Sequence, residues 1–135
     1  MYQNEAPSAS GIAASKLDRS SVFFTSKVPP QSMSYEGARE TIDATMNAVG
    51  SKLDGYVDLF LSHSPYGGRE GRLGAWKALV EAVEEGKVRS IGVSNYGVHH
   101  LQELEEYIKE VDEKEGKGKG GVLSVNQVCH LSDYH

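Results

Sequence analysis

Four short runs rich in β-branched and aromatic residues alternate with longer stretches whose apolar residues recur every three or four positions. No other feature restricts the fold as much. The runs are Val22-Phe23-Phe24-Thr25, Tyr56-Val57-Asp58-Leu59-Phe60-Leu61, Val88-Arg89-Ser90-Ile91-Gly92-Val93 and Val122-Leu123-Ser124-Val125, and each reads as a strand. Between them lie three helical stripes: Ala38, Ile42, Met46, Val49 and Leu53; Leu73, Trp76, Leu79, Val80 and Val83; Val98, Leu101, Leu104, Ile108 and Val111. A weaker helix is expected over about residues 8–17. Ser34 reads as an N-cap, and Gly86 follows the Glu84-Glu85 end of its helix. Strands alternating with helices of this length mean βα units, a parallel sheet and right-handed crossovers.

The chain has 135 residues, which suits one domain. With 39% hydrophobic and 24% charged residues it reads as globular, and a net charge of -5 points to neither nucleic acid nor an anionic membrane as partner. Cys129 is the only cysteine, which excludes a disulfide framework and fits a reducing compartment. No apolar run approaches the roughly 20 residues of a membrane span, and the first residues lack the basic-then-apolar pattern of a signal peptide. A soluble cytoplasmic protein is expected.

Each strand runs into polar residues. The first leads to Ser26-Lys27, the second to Ser62-His63-Ser64-Pro65, the third to Ser94-Asn95-Tyr96-Gly97 and the fourth to Asn126-Gln127. In a parallel sheet these stops share one end, where barrels and open α/β sheets bind ligands. Solvated loops explain Ser or Asn at any single strand end. They explain less well a Lys and a His directly on the last strand turn.

The segments "YQNE", "VFFTSK", "YVDLFLSHSP", "GAWKALVEAVEEGKVRSIGVSNYGVHHLQEL" and "SVNQV", in this order, resemble the aldo-keto reductases of the aldose-reductase-like type. The match runs from Tyr2 to about Val128. The resemblance implies a (β/α)₈ TIM barrel that transfers hydride from NADPH to an aldehyde or ketone, a small carbonyl substrate. The family's catalytic Tyr lies in a Tyr-x-Asn-Glu motif and falls on Tyr2, with Asn4 and Glu5. Its Lys closes a Thr-Ser-Lys strand end and falls on Lys27; its His falls on His63. The Ser-Asn pair that holds the nicotinamide carboxamide falls on Ser94 and Asn95, and a nearby Gln on Gln127. These residue types suit the chemistry. A neighbouring ammonium lowers a tyrosine pKa toward operating pH, and an imidazole can hydrogen-bond the carbonyl oxygen. Each also has a plainer reading: Lys27 as a solvated strand end, His63 as a bonded core histidine, Ser94-Asn95 as a helix cap, Tyr2 as a frayed terminal side chain.

His99-His100, at a helix start, read as surface and not as metal ligands. The Gly-rich stretch 113–121 reads as a flexible charged loop; it follows a helix and precedes a strand, the wrong order for a phosphate loop. Cys129 reads as a buried or inert thiol.

The pattern also departs from the family. A whole barrel needs roughly 250 residues, and the four βα units correspond by resemblance to the family's strands three to six. The family's Asp, a few residues before its Tyr, has no counterpart, and the main adenosine 2′-phosphate site lies in the last units, absent here. Residues 1–128 are read as a partial aldo-keto reductase domain and 129–135 as a divergent tail with an altered end. Two expectations follow. The chain alone is inactive or impaired in NADPH-dependent reduction, and its open strand edges favour self-association, the alternative function being a non-catalytic barrel fragment. Phe23, Thr25, Leu59 and Leu61, inward in a closed barrel, are expected to face water unless something covers them.

Overall fold

The computed structural model describes residues 4–129. Strands β1 (Thr25–Val28), β2 (Val57–Ser62), β3 (Val88–Ser94) and β4 (Leu123–Gln127) form one sheet in chain order, every neighbouring pair parallel. Helices α1 (Glu5–Ala14), α2 (Tyr35–Val49), α3 (Gly68–Glu84) and α4 (Val98–Glu115) connect and cover them. The α/β alternation read from the sequence is therefore the architecture, with four parallel strands and helices between them.

The helices form where the stripes predict. The Ser34 Oγ accepts from the Gly37 N–H at 2.9 Å and starts α2. Gly86, at φ 76°, ends the turn after α3 as only a residue tolerant of positive φ does without strain. The α3 stripe supplies the core: Leu73, Trp76 and Leu79 are buried against Val57, Phe60, Ile91 and Val93. Each such side chain contributes about 1.5–3 kcal/mol by leaving water. Val83 and Val98, counted in the stripes, are exposed at the helix ends. Leu53 is buried beyond the α2 terminus, after a short 3₁₀ turn.

Four expectations need correcting. The first strand begins at Thr25, not Val22. Residues before it give their backbone groups to side chains: the Val22 carbonyl accepts from Arg19 Nη1 at 2.7 Å, and the Phe24 N–H donates to Asp58 Oδ2 at 2.8 Å. The first helix is Glu5–Ala14 and stops before Leu17, because Lys16 takes the left-handed conformation at φ 60°. The stretch at 113–121 is held, not free. Gly120 is buried, its N–H donates to Asp112 Oδ1 and its carbonyl accepts from Trp76 Nε1 at 2.8 Å. Cys129 is exposed, so of the two readings, buried or inert, the buried one fails.

The two sheet faces differ. Phe24, Ser26, Val28, Phe60, Ile91 and Val93 are buried, all but Ser26 within the core that packs under the helices. On the opposite face Phe23 (68% exposed) and Thr25 face water as expected, but Leu59 and Leu61 do not; Leu61 is 1% exposed. Strand β2 is flanked on both sides, and Leu61 leans across Gly92, where an added Cβ would meet Leu61 Cδ2 at 2.9 Å and the Val125 carbonyl oxygen at 2.5 Å. Strand β1 has a neighbour on one side only among the described residues.

At the N-terminal end of the strands one guanidinium does much of the fastening. Arg19 donates to the carbonyls of Leu53 (3.0 Å), Val22 (2.7 Å) and Tyr56 (3.0 Å) and to Asp58 Oδ2 (2.7 Å). The guanidinium carbons of Arg19 and Arg89 each lie 4.0 Å from the Tyr56 ring centre.

Candidate functional site

Parallel pairing places Lys27, His63, Ser94, Asn95 and Gln127 at one end of the sheet. Lys27 pairs with Leu61, Ser62 with Val93, and Ser94 with Gln127. Strand alternation therefore puts Lys27, Leu61 and His63 on the face away from the core. Lys27 is half-buried and lies within β1 rather than after it. His63 follows β2 directly, its N–H donating to the Val28 carbonyl at 3.0 Å, so the two strands carrying Lys27 and His63 are locked at that level. Burial, and secondly the charge of Lys27, hold the His63 pKa below the ordinary 6.5. The ring is neutral at physiological pH, with one N–H to donate.

The β3 and β4 ends are tied together. The Ser94 hydroxyl donates to the Gln127 carbonyl at 2.8 Å, and the Asn95 N–H donates to the same oxygen at 2.9 Å. Asn95 sits at φ 60°, a conformation its short polar side chain tolerates. Its Nδ2 lies 3.3 Å from the His63 carbonyl and 3.2 Å from Ser94 Oγ, and its Oδ1 accepts from the Cys129 N–H at 2.9 Å. The helix-cap reading of Ser94-Asn95 does not hold. Gly97 precedes α4, and its N–H donates to His100 Nδ1 at 3.0 Å, so His100 is the capping side chain. Tyr2 lies outside the described residues.

Sequence reasoning missed the support of the loop after His63. Arg72 on α3 donates through Nε to Glu103 Oε1 (2.8 Å) and through Nη2 to Glu103 Oε2 (3.0 Å) on α4, and through Nη1 to the Pro65 carbonyl (3.1 Å). This planar fork fixes the loop against two helices. Nothing in the sequence joins positions 72 and 103, because the pairing exists only once the helices are side by side. The hydroxyls of Ser62 and Ser64 are buried at this end without hydrogen-bond partners among the described residues. Tyr96, just after β3, is also buried, and burial raises its hydroxyl pKa to about 12. Among the described residues no group of His, Cys, Asp and Glu could hold a metal ion, and no helix is long and apolar enough to cross a membrane.

The model of the aldo/keto reductase family matches residues 1–129. The chain belongs to the aldo/keto reductase family. Among the curated relatives of the chain is an uncharacterized oxidoreductase of Schizosaccharomyces pombe, 47% identical over 108 aligned residues, the match covering 77% of this chain and 37% of the relative. The glyoxal reductase of Bacillus subtilis is 38% identical over 104 residues, covering 77% and 36%. An aldo-keto reductase from a Medee basin deep-sea metagenome superposes with a TM-score of 0.76 at 34% identity, over 93% of this chain and 40% of that structure. The chain therefore spans little more than a third of the curated relatives' length, and its sheet is part of the family's TIM barrel.

Proposed function

We propose that this chain carries residues that serve the reduction of a small aldehyde or ketone by NADPH in the family's whole barrel, the chain by itself being inactive or impaired. The observation that carries the proposal is the placing of Lys27 and a neutral His63 on one face of adjoining strand ends, close enough for the Lys27 charge to act on the ring. NADPH, when bound, supplies the hydride. Ser94, Asn95 and Gln127 fit its carboxamide: a buried hydroxyl and two amides, both on exposed residues, line one rim of the sheet. To hold a carboxamide, Asn95 exchanges its bonds to His63 and Ser94 for bonds to the ligand, at little net cost because one set of hydrogen bonds replaces another. His63 donates its N–H to the substrate oxygen and orients the carbonyl. Tyr2 is the proton donor to the developing alkoxide, and Lys27 favours its ionised form so that the proton leaves near operating pH.

The test is NADPH oxidation by the chain with a panel of aldehydes and ketones, beside Tyr2→Phe, Lys27→Met and His63→Gln. Turnover lost in all three supports the assignment. Turnover equal in Tyr2→Phe and wild type removes Tyr2 from the chemistry.

A second reading has its own observation. Strands β1 and β4 each pair on one side among the described residues, and Phe23, Val125 and Val128 are exposed beside them. Such edges favour association with a further barrel segment or copy. Sedimentation of a sharp monomer at high concentration would sink it.

A further inference from the structure

His63 is fastened through both polar groups of its own backbone. Its N–H donates to the Val28 carbonyl at 3.0 Å, and its carbonyl lies 3.3 Å from Asn95 Nδ2. Beyond it the chain runs through Ser64, Pro65, Tyr66 and Gly67 before α3 begins. Among the described residues a single hydrogen bond ties Ser64, Pro65 and Tyr66 to the rest of the molecule: Arg72 Nη1 donates to the Pro65 carbonyl at 3.1 Å. Tyr66 is 65% exposed, so packing of its side chain adds little.

Arg72 cannot follow the loop if it drifts, because its other two nitrogens engage both oxygens of Glu103 on α4. The two side chains are 15% and 19% exposed, and their bonds hold the Glu103 carboxyl below the ordinary carboxylate range. A guanidinium held in this way has a fixed direction that a lone lysine at the same place would lack. The link from Pro65 back to His63 is short and stiff. Two residues of chain span at most about 7 Å, and the proline ring fixes its own φ and narrows the conformations open to Ser64. The Arg72 bond also gains weight in the exchange proposed for Asn95. When the Asn95 amide turns to a ligand, the His63 carbonyl loses its side-chain partner, and the tie at Pro65 remains.

We propose that Arg72, braced by Glu103, is a positioning residue for His63: it anchors Pro65 and thereby keeps the imidazole in place at the ends of β1 and β2, sharing that load with Asn95. The anchor stands on the contacts alone. Its value for orienting a carbonyl rests on the reductase reading of His63.

The test is titration of the His63 ring by NMR in the isotope-labelled full chain, assigned with His63→Gln. The wild-type midpoint lies below 6.5, lowered first by burial and then by Lys27. Arg72→Ala and Glu103→Ala each let water reach the ring and raise the midpoint by about 0.5 pH unit, with the melting transition retained. Bare electrostatics moves the two variants apart, since loss of a cation raises a histidine pKa and loss of a carboxylate lowers it. Midpoints that part in this way, or that stay at the wild-type value, overturn the anchor. Should Arg72→Ala not fold, Arg72→Gln keeps the stem, removes the fork and takes the same measurement. On an Asn95→Ala background the shift caused by Arg72→Ala is expected to be about twice as large; equal shifts on the two backgrounds overturn the sharing. No cofactor or substrate enters these titrations, so they decide the anchor whichever way the reductase assay falls.

Discussion

The two ends of the sheet are built on opposite terms. At the N-terminal end, Arg19 closes three backbone carbonyls and one carboxylate, and Trp76 and Asp112 close the backbone of Gly120. At the C-terminal end, the Asn95 amide is shared between two acceptors more than 3 Å away, its backbone is left-handed, and two buried serine hydroxyls lack partners among the described residues. One end spends its polar groups on the fold. The other holds them where they can be exchanged for a ligand, the division of labour found in barrels generally.

The sharpest way to break this contrast is at Arg19. Arg19→Ala strands a nearly buried Asp58 and several carbonyls, and is expected to lower stability by about 3–5 kcal/mol, measured by denaturant unfolding. The His63 titration, followed by NMR, should not move while the variant is folded. A loss below about 1 kcal/mol would show that the N-terminal end is not where stability resides. Trp76→Phe keeps the core volume and removes one buried bond, leaving the Gly120 carbonyl unpaired, for an expected loss of about 1–3 kcal/mol. Hydrogen exchange across residues 116–121 should rise with it.

At the other end, Asn95→Gly relieves positive φ and removes exposed hydrogen bonds. Stability should change by no more than about 1 kcal/mol, while the proposed NADPH affinity falls about tenfold, or roughly 1.4 kcal/mol. A large loss of stability with unchanged affinity would reverse the two ends. The smallest expected effect lies on the pH axis. Because the folded His63 pKa is depressed, its neutral state stabilises the fold above pH 6.5, and that contribution is lost as pH falls through 6.5 toward the lower folded value. Glu85, at the end of α3, is lowered from 4.5 to about 2 by its bonds to Arg39 and Lys87, so its contribution persists to pH 4.5 and is lost between there and about 2. Acid unfolding should thus loosen the site end first. His63→Gln should flatten the upper step and spare the lower.

What was legible in the sequence follows from the range of each interaction. The strands and helices, Ser34 and Gly86 are set by neighbours a few residues away, so periodicity and capping reveal them. The rim is legible because parallel strands must end on one side. The start of β1 is not, because Phe24 and Val22 look like strand residues until Asp58 and Arg19, more than thirty positions away or brought in by a turn, take their backbone groups. The Arg72–Glu103 fork is hidden for the same reason. Leu61 looked destined for water because Gly92 beneath it has no side chain to announce a contact.

Strand order in this sheet is chain order. Lys27 pairs with Leu61, Leu61 with Gly92 and Ser94 with Gln127, each step joining residues about thirty positions apart. Every pairing is thus closed by a loop of similar, modest length, and none waits for a distant part of the chain. Such a sheet can grow one βα unit at a time as the chain leaves the ribosome. Each new strand docks on an edge already formed, so assembly keeps pace with synthesis rather than following it.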